Sequence, residues 1–192
     1  MEKKVLVLLA EGFEEVEAIT PVDYLRRAGI AVTTASVGND LTVTGSHGIK
    51  VSADITLLNI PMEAVCPWDA VVVPGGSPGA DNIAASGEAG ALLKKMAASG
   101  RLISAICAAP ARVLFPLGLL DGKKFTCFPG EEKNVMPAGA EWKQDRVVVD
   151  GSLITSRGAG TAGEFACAII DWLLGDGDGK KISDKVLLFD LS

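Results

Sequence analysis

The sequence is poor in the residues that most often build metal and redox centres. It contains one histidine, His47, among 192 residues, so sites that need several imidazole ligands, such as His-rich zinc or facial-triad iron centres, are excluded. The four cysteines are widely spaced and form no Cys-x-x-Cys pair, which argues against a structural zinc site or a thioredoxin-type motif. We therefore predict free thiols, no metal and no cofactor.

The chain also lacks an excess of positive charge and a long apolar run. Its formal net charge is -6, and lysine and arginine do not cluster as binding to nucleic acid requires. The apolar run at residues 5–10 is shorter than the roughly 7 to 15 residues of a signal-peptide core, and prolines and Arg112 interrupt the least charged stretch, residues 102–120. We predict a cytoplasmic protein with no membrane partner and no stable nucleic-acid complex.

The remaining composition is that of a globular protein. Hydrophobic residues make up 48% and charged residues 22% of the chain, and its length suits one domain, which we place at residues 1–192. Short β-branched runs alternate with longer amphipathic segments. This pattern predicts the α/β class, with a mostly parallel sheet covered by helices on both faces.

The pattern of apolar residues and turn residues sets the predicted elements. Strands are predicted at residues 4–9, 32–36, 69–73, 102–106, 125–127, 147–150 and 153–155, and helices at 14–28, 88–99, 108–115, 161–174 and 183–191. Residues 41–44 and 49–52 flank a GSHG turn and predict a small β-hairpin with His47 at its tip. Residues 74–79 and 175–179 are predicted as loops.

Cys107 stands directly after a predicted buried strand and directly before a predicted helix. Open α/β sheets bind ligands at the carboxyl ends of their strands, and a strand-to-helix turn is the setting of a nucleophile elbow. Helix amides there would lower the pKa of the thiol, and the N–H of Ala108 could donate to an oxyanion. The alternative is a small buried hydrophobe, which suits Cys66, Cys127 and Cys167 better.

An acidic run, Glu14, Glu15 and Glu17, begins the first predicted helix. Negative charge at a helix start is favourable in itself, which is sufficient explanation for the first two. Glu17 differs because it lies beside the apolar positions Val16 and Ile19 and can turn toward the strand-end crevice. A carboxyl partly buried beside a thiol would have a raised pKa and could share a proton with it.

Two glycine-rich segments follow predicted strands. Residues 158–163 (GAGTAG) have the spacing of a dinucleotide fingerprint, but that fingerprint belongs to a first βαβ unit, so we prefer glycines that let the backbone approach a pocket or another helix, with Gly158 lining the pocket. Residues 74–79 (PGGSPG) lack the lysine of a phosphate-binding loop. They predict a tight turn that presents the amides of Gly75 and Gly76 to Cys107.

Four segments together resemble the ThiJ/PfpI superfamily, in the branch that holds DJ-one and the YajL-like proteins. They read KVLVLLAEGFEEVEAITPVDYLRRAGIAVTTASV, DAVVVPGGSPGADN, ISAICAAPARVL and ITSRGAGTAGEFACAIID, in this order along nearly the whole chain. The resemblance implies a flavodoxin-like three-layer sandwich that forms a homodimer. It also implies that Cys107 is the reactive elbow cysteine and that Glu17 is the carboxyl hydrogen-bonded to it.

The resemblance assigns further residues. It implies that Gly76 and Ala108 supply oxyanion-type amides, and that His47 is a hairpin-tip residue approaching the partner's site. Asp23 and Arg27 correspond to positions at the dimer surface. The DJ-one branch has a histidine where this chain has Phe128; because phenylalanine cannot transfer a proton, the YajL-like branch is the closer match.

The function implied is that of a cysteine-dependent stress-response protein acting on small reactive-carbonyl adducts of proteins or metabolites. Cys107 would be the nucleophile and Glu17 the proton shuttle of a deglycase or glyoxalase-type reaction. The alternative is an oxidative-stress sensor or redox-regulated chaperone in which Cys107 oxidises without turnover. A third interpretation, dinucleotide binding, would require nucleotide-dependent stabilisation of the fold.

Overall fold

The computed structural model describes residues 2–60, 67–135 and 139–189. The strands are β1 (Lys4–Leu9), β2 (Ala31–Ser36), β3 (Thr42–Thr44), β4 (Lys50–Ser52), β5 (Ile55–Thr56), β6 (Ala70–Val73), β7 (Leu102–Ile106), β8 (Lys124–Phe125), β9 (Glu141–Trp142), β10 (Val147–Asp150) and β11 (Leu153–Ser156). The helices are α1 (Glu15–Arg27), α2 (Ser77–Ala85), α3 (Gly87–Ala98), α4 (Ala162–Leu174) and α5 (Asp178–Val186). None of these helices is long and apolar enough to cross a membrane.

Seven strands form one sheet in the order β10-β11-β7-β6-β1-β2-β5. Neighbouring strands in this sheet are parallel, except for the antiparallel pair β10 and β11 at one edge. The run β2-β1-β6-β7-β11 is the strand order of flavodoxin-like sheets, in which ligands bind where the direction of winding reverses. That reversal lies between β1 and β6.

The alternation of side chains along β1 divides the core into two layers. Val5, Val7 and Leu9 pack on the side of α1, α4 and α5, whereas Leu6 and Leu8 pack on the side of α2 and α3. All five side chains are fully buried. A strand covered on both faces needs apolar residues at every position, which explains the uninterrupted run and confirms the predicted three-layer α/β class.

The small hairpin is confirmed as β3 and β4, with Val43 opposite Val51 and His47 in the turn between them.

Helix α2 was not predicted because the PGGSPG sequence is typical of a turn. Pro78 lies in its first turn, where a missing N–H removes no helical hydrogen bond. The structure thus places a helix directly after the glycine pair.

The helix predicted at residues 108–115 is wrong in type and extent. The structure has a π-helical turn, Pro110–Leu114, in which the N–H of Phe115 donates to the carbonyl of Pro110 at 3.0 Å. The strand predicted at 125–127 ends at Phe125, because the N–H of Thr126 donates to the side chain of Thr155 at 2.9 Å. Both corrections concern segments that lead into or out of the site.

The closing helix predicted at residues 183–191 is α5, which begins five residues earlier. The Asp171 carboxylate accepts hydrogen bonds from the N–H groups of Gly177 at 3.0 Å and Gly179 at 2.8 Å. This contact organises part of the predicted glycine-acid linker as the helix start. The helix ends before Leu187, which has a φ of 55°, and residue 191 lies outside the described part of the chain.

Candidate active site

The chain turns sharply at Cys107, immediately after β7. This residue has a φ of 65°, a left-handed conformation that is strained for a side chain other than glycine. Its N–H donates to the carbonyl of Ser156 at 2.9 Å, and its own carbonyl accepts from the N–H of Phe128 at 2.8 Å. Hydrogen bonds on both sides therefore hold Cys107 in an elbow conformation.

Glu17 reaches the same place from the first turn of α1. The Glu14 side chain caps this helix and accepts from the N–H of Glu17 at 2.7 Å. The Glu17 side chain is buried, and its Oε2 accepts from the N–H of Gly75 at 2.9 Å. The carboxyl also bonds to the Cys107 thiol and to the Ala159 amide. The loops after β1, β6, β7 and β11 thus converge on one carboxyl at the reversal point of the sheet.

The glycine pair after β6 is required by this close approach. A Cβ atom at Gly75 would lie 2.5 Å from Oε2 of Glu17 and 2.6 Å from Cβ of Cys107. Gly76 has a φ of +80°, and a Cβ there would lie 2.5 Å from the carbonyl oxygen of Gly12. Gly75 is therefore required by space alone, whereas at Gly76 only glycine suits both the space and the left-handed backbone.

The backbone amides around the pair have different partners. Those of Gly76 and Ala108 form hydrogen bonds to the Cys107 sulfur. The amide of Gly75 instead donates to Glu17, so it holds the carboxyl and is not available to a substrate oxygen. Gly158 lies beside Glu17: a Cβ at this glycine would be 3.9 Å from Oε1 of the carboxyl.

Burial dominates the ionisation of both groups. It raises the pKa of Glu17 to about 7, assisted by the charge of Glu14 and opposed by the hydrogen bonds from Cys107 and the amides. Burial, together with the charge and hydrogen bond of Glu17, raises the pKa of the Cys107 thiol to about 12. The prediction that helix amides lower the pKa of this thiol is therefore wrong. Burial and Glu17 raise the pKa by more than the amides of Gly76 and Ala108 lower it. The pair titrates as a unit that loses its first proton near neutral pH.

His47 belongs to a neighbouring hydrogen-bond network that is centred on Glu15. The Glu15 carboxylate pairs with Nδ1 of His47 at 2.8 Å and accepts from the His47 N–H at 2.7 Å. Burial alone would raise the pKa of Glu15, but these hydrogen bonds lower it to about 2. Glu14, Glu15 and His47 bring ligand atoms within 4.8 Å of one another, yet the first caps α1 and the second anchors the hairpin tip to that helix.

The other predicted residues lie outside the pair. Asp23 and Arg27 form an ion pair at 2.6 Å on the surface of α1. Cys127 is buried and Cys167 is half-buried, and burial raises the pKa of these thiols to about 12 and about 11. Cys66 lies outside the described residues.

Among the glycines of the GAGTAG segment, Gly158 lines a pocket. Gly163 does not face another helix: a Cβ there would lie 2.5 Å from a methyl group of Leu188, which follows the end of α5. The sequence did not predict the Ala159 amide at Glu17, nor the size of the pocket. That pocket is a cavity of about 420 Å³ lined by Phe128, Pro129, Arg146 and residues 157–161.

The comparisons with known proteins agree with this architecture. The sequence model of the DJ-1/PfpI family matches residues 3–172. The chain belongs to the DJ-1/PfpI family. It is 39% identical over 190 residues to the Parkinson disease protein 7 homolog of Danio rerio, covering 98% of each chain. Among solved structures, oxidized Toxoplasma gondii DJ-1 superposes with a TM-score of 0.90 at 39% identity, covering 96% of this chain and 98% of that one.

Relatives within the family differ in length and in name. Protein DJ-1 homolog B of Arabidopsis thaliana is 41% identical over 96% of this chain, but the chain spans only 41% of that protein. It spans 47% of the related homolog A, so it has less than half the length of these two plant proteins. A relative from Pyrococcus horikoshii, 37% identical over 80% of this chain and 89% of its own, is named a deglycase.

The shared proton of the pair predicts a characteristic pH profile of alkylation. The rate at which iodoacetamide modifies Cys107 should rise with an inflection near pH 7, because loss of the first proton leaves one proton divided between sulfur and carboxyl. In Glu17→Gln the rise should move to higher pH, because only the buried thiol then titrates. Peptide mass spectrometry measures both profiles, with Cys167 in the same molecule as internal control. Identical profiles with and without Glu17 would contradict the coupling.

The glycine requirement predicts that Gly75→Ala separates the pair. The added methyl group should lower the free energy of unfolding by about 1 to 3 kcal/mol, as overpacking usually does, and abolish the inflection of Cys107 alkylation near pH 7. Gly87→Ala is the matched control, because a Cβ at that position meets nothing within 4 Å. Thermal unfolding and alkylation together measure the effect, and a wild-type profile in Gly75→Ala would contradict the packing argument.

Proposed function

We propose that the chain is a cysteine-dependent enzyme that acts on reactive-carbonyl adducts by deglycation or glyoxalase-type hydrolysis. The observation that carries this proposal is the buried hydrogen bond between Glu17 and Cys107 at a strained elbow. A nucleophile beside a proton acceptor with a pKa near 7 is the arrangement that covalent catalysis requires at neutral pH. The two Pyrococcus relatives named deglycases, at 37% and 34% identity, support the reaction class.

The first step joins the sulfur to the adduct. The Glu17 carboxylate takes the thiol proton while the sulfur attacks the carbonyl carbon, and the π electron pair of the carbonyl moves to its oxygen. The amides of Gly76 and Ala108 converge on the sulfur, so an oxygen on the attacked carbon comes within their reach. Glu17 then returns its proton to that oxygen.

The remaining steps need only water as co-reactant. In a hemithioacetal of methylglyoxal, the carrier thiol leaves first and takes the hydroxyl proton, so that the aldehyde carbonyl is re-formed and is the group that Cys107 attacks. A proton shift through an enediol then oxidises the aldehyde-derived carbon while it reduces the neighbouring ketone carbon, which gives a thioester of lactate on Cys107. Addition of one water breaks the carbon–sulfur bond, releases lactate and returns the proton to the sulfur. Glu17 moves the protons in each step, which its pKa of about 7 allows.

A second candidate function is redox sensing at the same cysteine. The amides of Gly76 and Ala108 at the sulfur and a protonated Glu17 could donate to the oxygens of a sulfinate. Two equivalents of hydrogen peroxide convert a thiolate to a sulfinate and release two waters. The structure of oxidized Toxoplasma gondii DJ-1 favours this candidate by its name. A sensor would respond once per molecule and would not turn over.

Turnover separates the two candidates. Steady-state release of lactate from the methylglyoxal hemithioacetal should fall about 100-fold or more in Cys107→Ser and in Glu17→Gln, because each removes a group on which proton transfer depends. Cys167→Ser is the matched control, since that half-buried thiol lies outside the pair. We also expect His47→Ala to keep appreciable activity, whereas Glu17→Ala does not. A single stoichiometric release of product would exclude the enzyme and favour the sensor.

We further propose that the chain forms a homodimer through α1. Val16 and Ile19 are 48% and 40% exposed, and they share a stripe of this helix with Asp23 and Arg27. Ile49, in the hairpin segment bonded to Glu15, is 57% exposed. Exposed apolar side chains gathered beside an ion pair are typical of a protein interface.

Disruption of this surface should dissociate the dimer. Ile19→Asp places a charge in the interface of both protomers, so we expect the dissociation constant to rise by about tenfold or more. Val149→Asp is the control, because Val149 is similarly exposed, at 55%, but lies in the edge strand β10. Sedimentation equilibrium measures both variants. A wild-type chain that stays monomeric at micromolar concentration, or an unchanged Ile19→Asp dimer, would refute the interface.

A further inference from the structure

We propose that the cavity beside the Glu17–Cys107 pair binds the carrier part of the adduct, and that Arg157 binds a carboxylate of that carrier. The ligand class is therefore an adduct of an amino acid, peptide or thiol that carries a free carboxylate. This inference rests on the proposed function, because it names the substrate class of the same site.

The cavity and the reactive pair share a wall at Gly158. The ring of Phe128 would lie 3.4 Å from a Cβ at this glycine, and Oε1 of Glu17 would lie 3.9 Å from it. The Phe128 main chain is itself bonded to the carbonyl of Cys107. An adduct whose carbonyl carbon meets the sulfur therefore has its carrier directed into the cavity.

Arg157 follows the last residue of β11, the strand next to β7. Its neighbour Ser156 accepts the hydrogen bond from Cys107, so the Arg157 backbone lies about one strand spacing, roughly 5 Å, from the backbone of the nucleophile. Arg157 also lines the cavity. The residue next to the nucleophile across the sheet therefore contributes to the wall that the carrier of a bound adduct would face.

The charge of the cavity is positive, although the chain carries a net charge of -6. Its two charged lining residues are both arginines. Arg146 is already engaged, because its Nε bonds to the Glu164 carboxylate at 2.7 Å. Arg157 has one hydrogen bond, from Nη1 to the carbonyl of Gln144 at 2.9 Å, and no carboxylate partner among the described residues. A guanidinium with free donors is suited to bidentate binding of a carboxylate.

The rest of the cavity wall, at Phe128, is apolar, and it further limits the class of carrier that can bind. The Phe128 side chain is 49% exposed, so its ring offers a flat surface to a carrier. In this chain the position cannot transfer a proton, and it is free to serve as a contact surface. A cationic carrier would meet two guanidinium groups with no acid in the cavity lining, which opposes its binding.

Paired substrates test the selection for a carboxylate. We would measure kcat/KM for methylglyoxal hemithioacetals of N-acetylcysteine and of its neutral amide, and take their ratio. The ratio should favour the carboxylate by about tenfold, because a charge-assisted hydrogen bond is made only to that substrate. In Arg157→Gln it should fall to about one. Arg101→Gln is the matched control: Arg101 is also half-buried but pairs with Asp69 at the opposite end of the sheet, so the ratio should not change.

A binding measurement separates failure of this inference from failure of the proposed function. The probes are the unreactive thioether S-(2-hydroxypropyl)-N-acetylcysteine and its amide, titrated into the full chain by calorimetry. If no adduct is turned over but the carboxylate probe binds more tightly and loses this advantage in Arg157→Gln, the proposed reaction fails and the subsite stands. If adducts are turned over but neither turnover nor binding distinguishes carboxylate from amide, the subsite is refuted and the reaction stands.

Discussion

The buried hydrogen bond between the Glu17 carboxyl and the Cys107 thiol is the constraint on which the other features of the site depend. A carboxyl with so little exposure is costly to ionise, and a shift of its pKa from 4.5 to about 7 corresponds to about 3 kcal/mol. Because folding raises this pKa, the protonated form of Glu17 favours the folded state. This stabilisation is complete below about pH 4.5 and is lost as the pH rises through 7. At neutral pH the fold therefore keeps a proton acceptor at the expense of its own stability, which is typical of functional sites.

The surrounding backbone is arranged to tolerate this pair. Gly75 has no side chain that would displace it, and its amide satisfies one oxygen of the carboxyl. The strain at Cys107 is supported by hydrogen bonds from two separate segments. These supports come from the ends of β6 and β11 and from the segment after β8, so the site exists only when the parallel sheet is assembled. The same arrangement explains why the candidate site lies at the reversal of strand order and not elsewhere along the edge.

The sequence was sufficient for features that depend on local pattern. The buried strands, the hairpin around His47 and the elbow position of Cys107 follow from periodicity and from the order of strand and turn, and the structure has them. It was insufficient where distant segments meet. The predicted lowering of the Cys107 thiol pKa was wrong. That pKa depends on burial and on Glu17, 90 residues earlier in the chain, and not only on the helix that follows. The partner of the Thr126 amide likewise depends on Thr155, 29 residues further along the chain. The early start of α5 has a local cause, the hydrogen bonds from Gly177 and Gly179 to the Asp171 side chain, which the pattern of apolar residues does not reveal.

The lone histidine shows how the fold replaces a missing chemical group. An imidazole is the side chain whose ordinary pKa lies nearest to neutrality, but the ring of His47 makes its polar contacts with Glu15 and Ser46. Burial brings the pKa of a glutamate to about 7 instead, so the site obtains a neutral-pH proton carrier from a residue that titrates near 4.5 in water. Phe128, which carries no titratable group, lines the neighbouring cavity, so proton transfer and contact with the carrier fall to different residues of the proposed site.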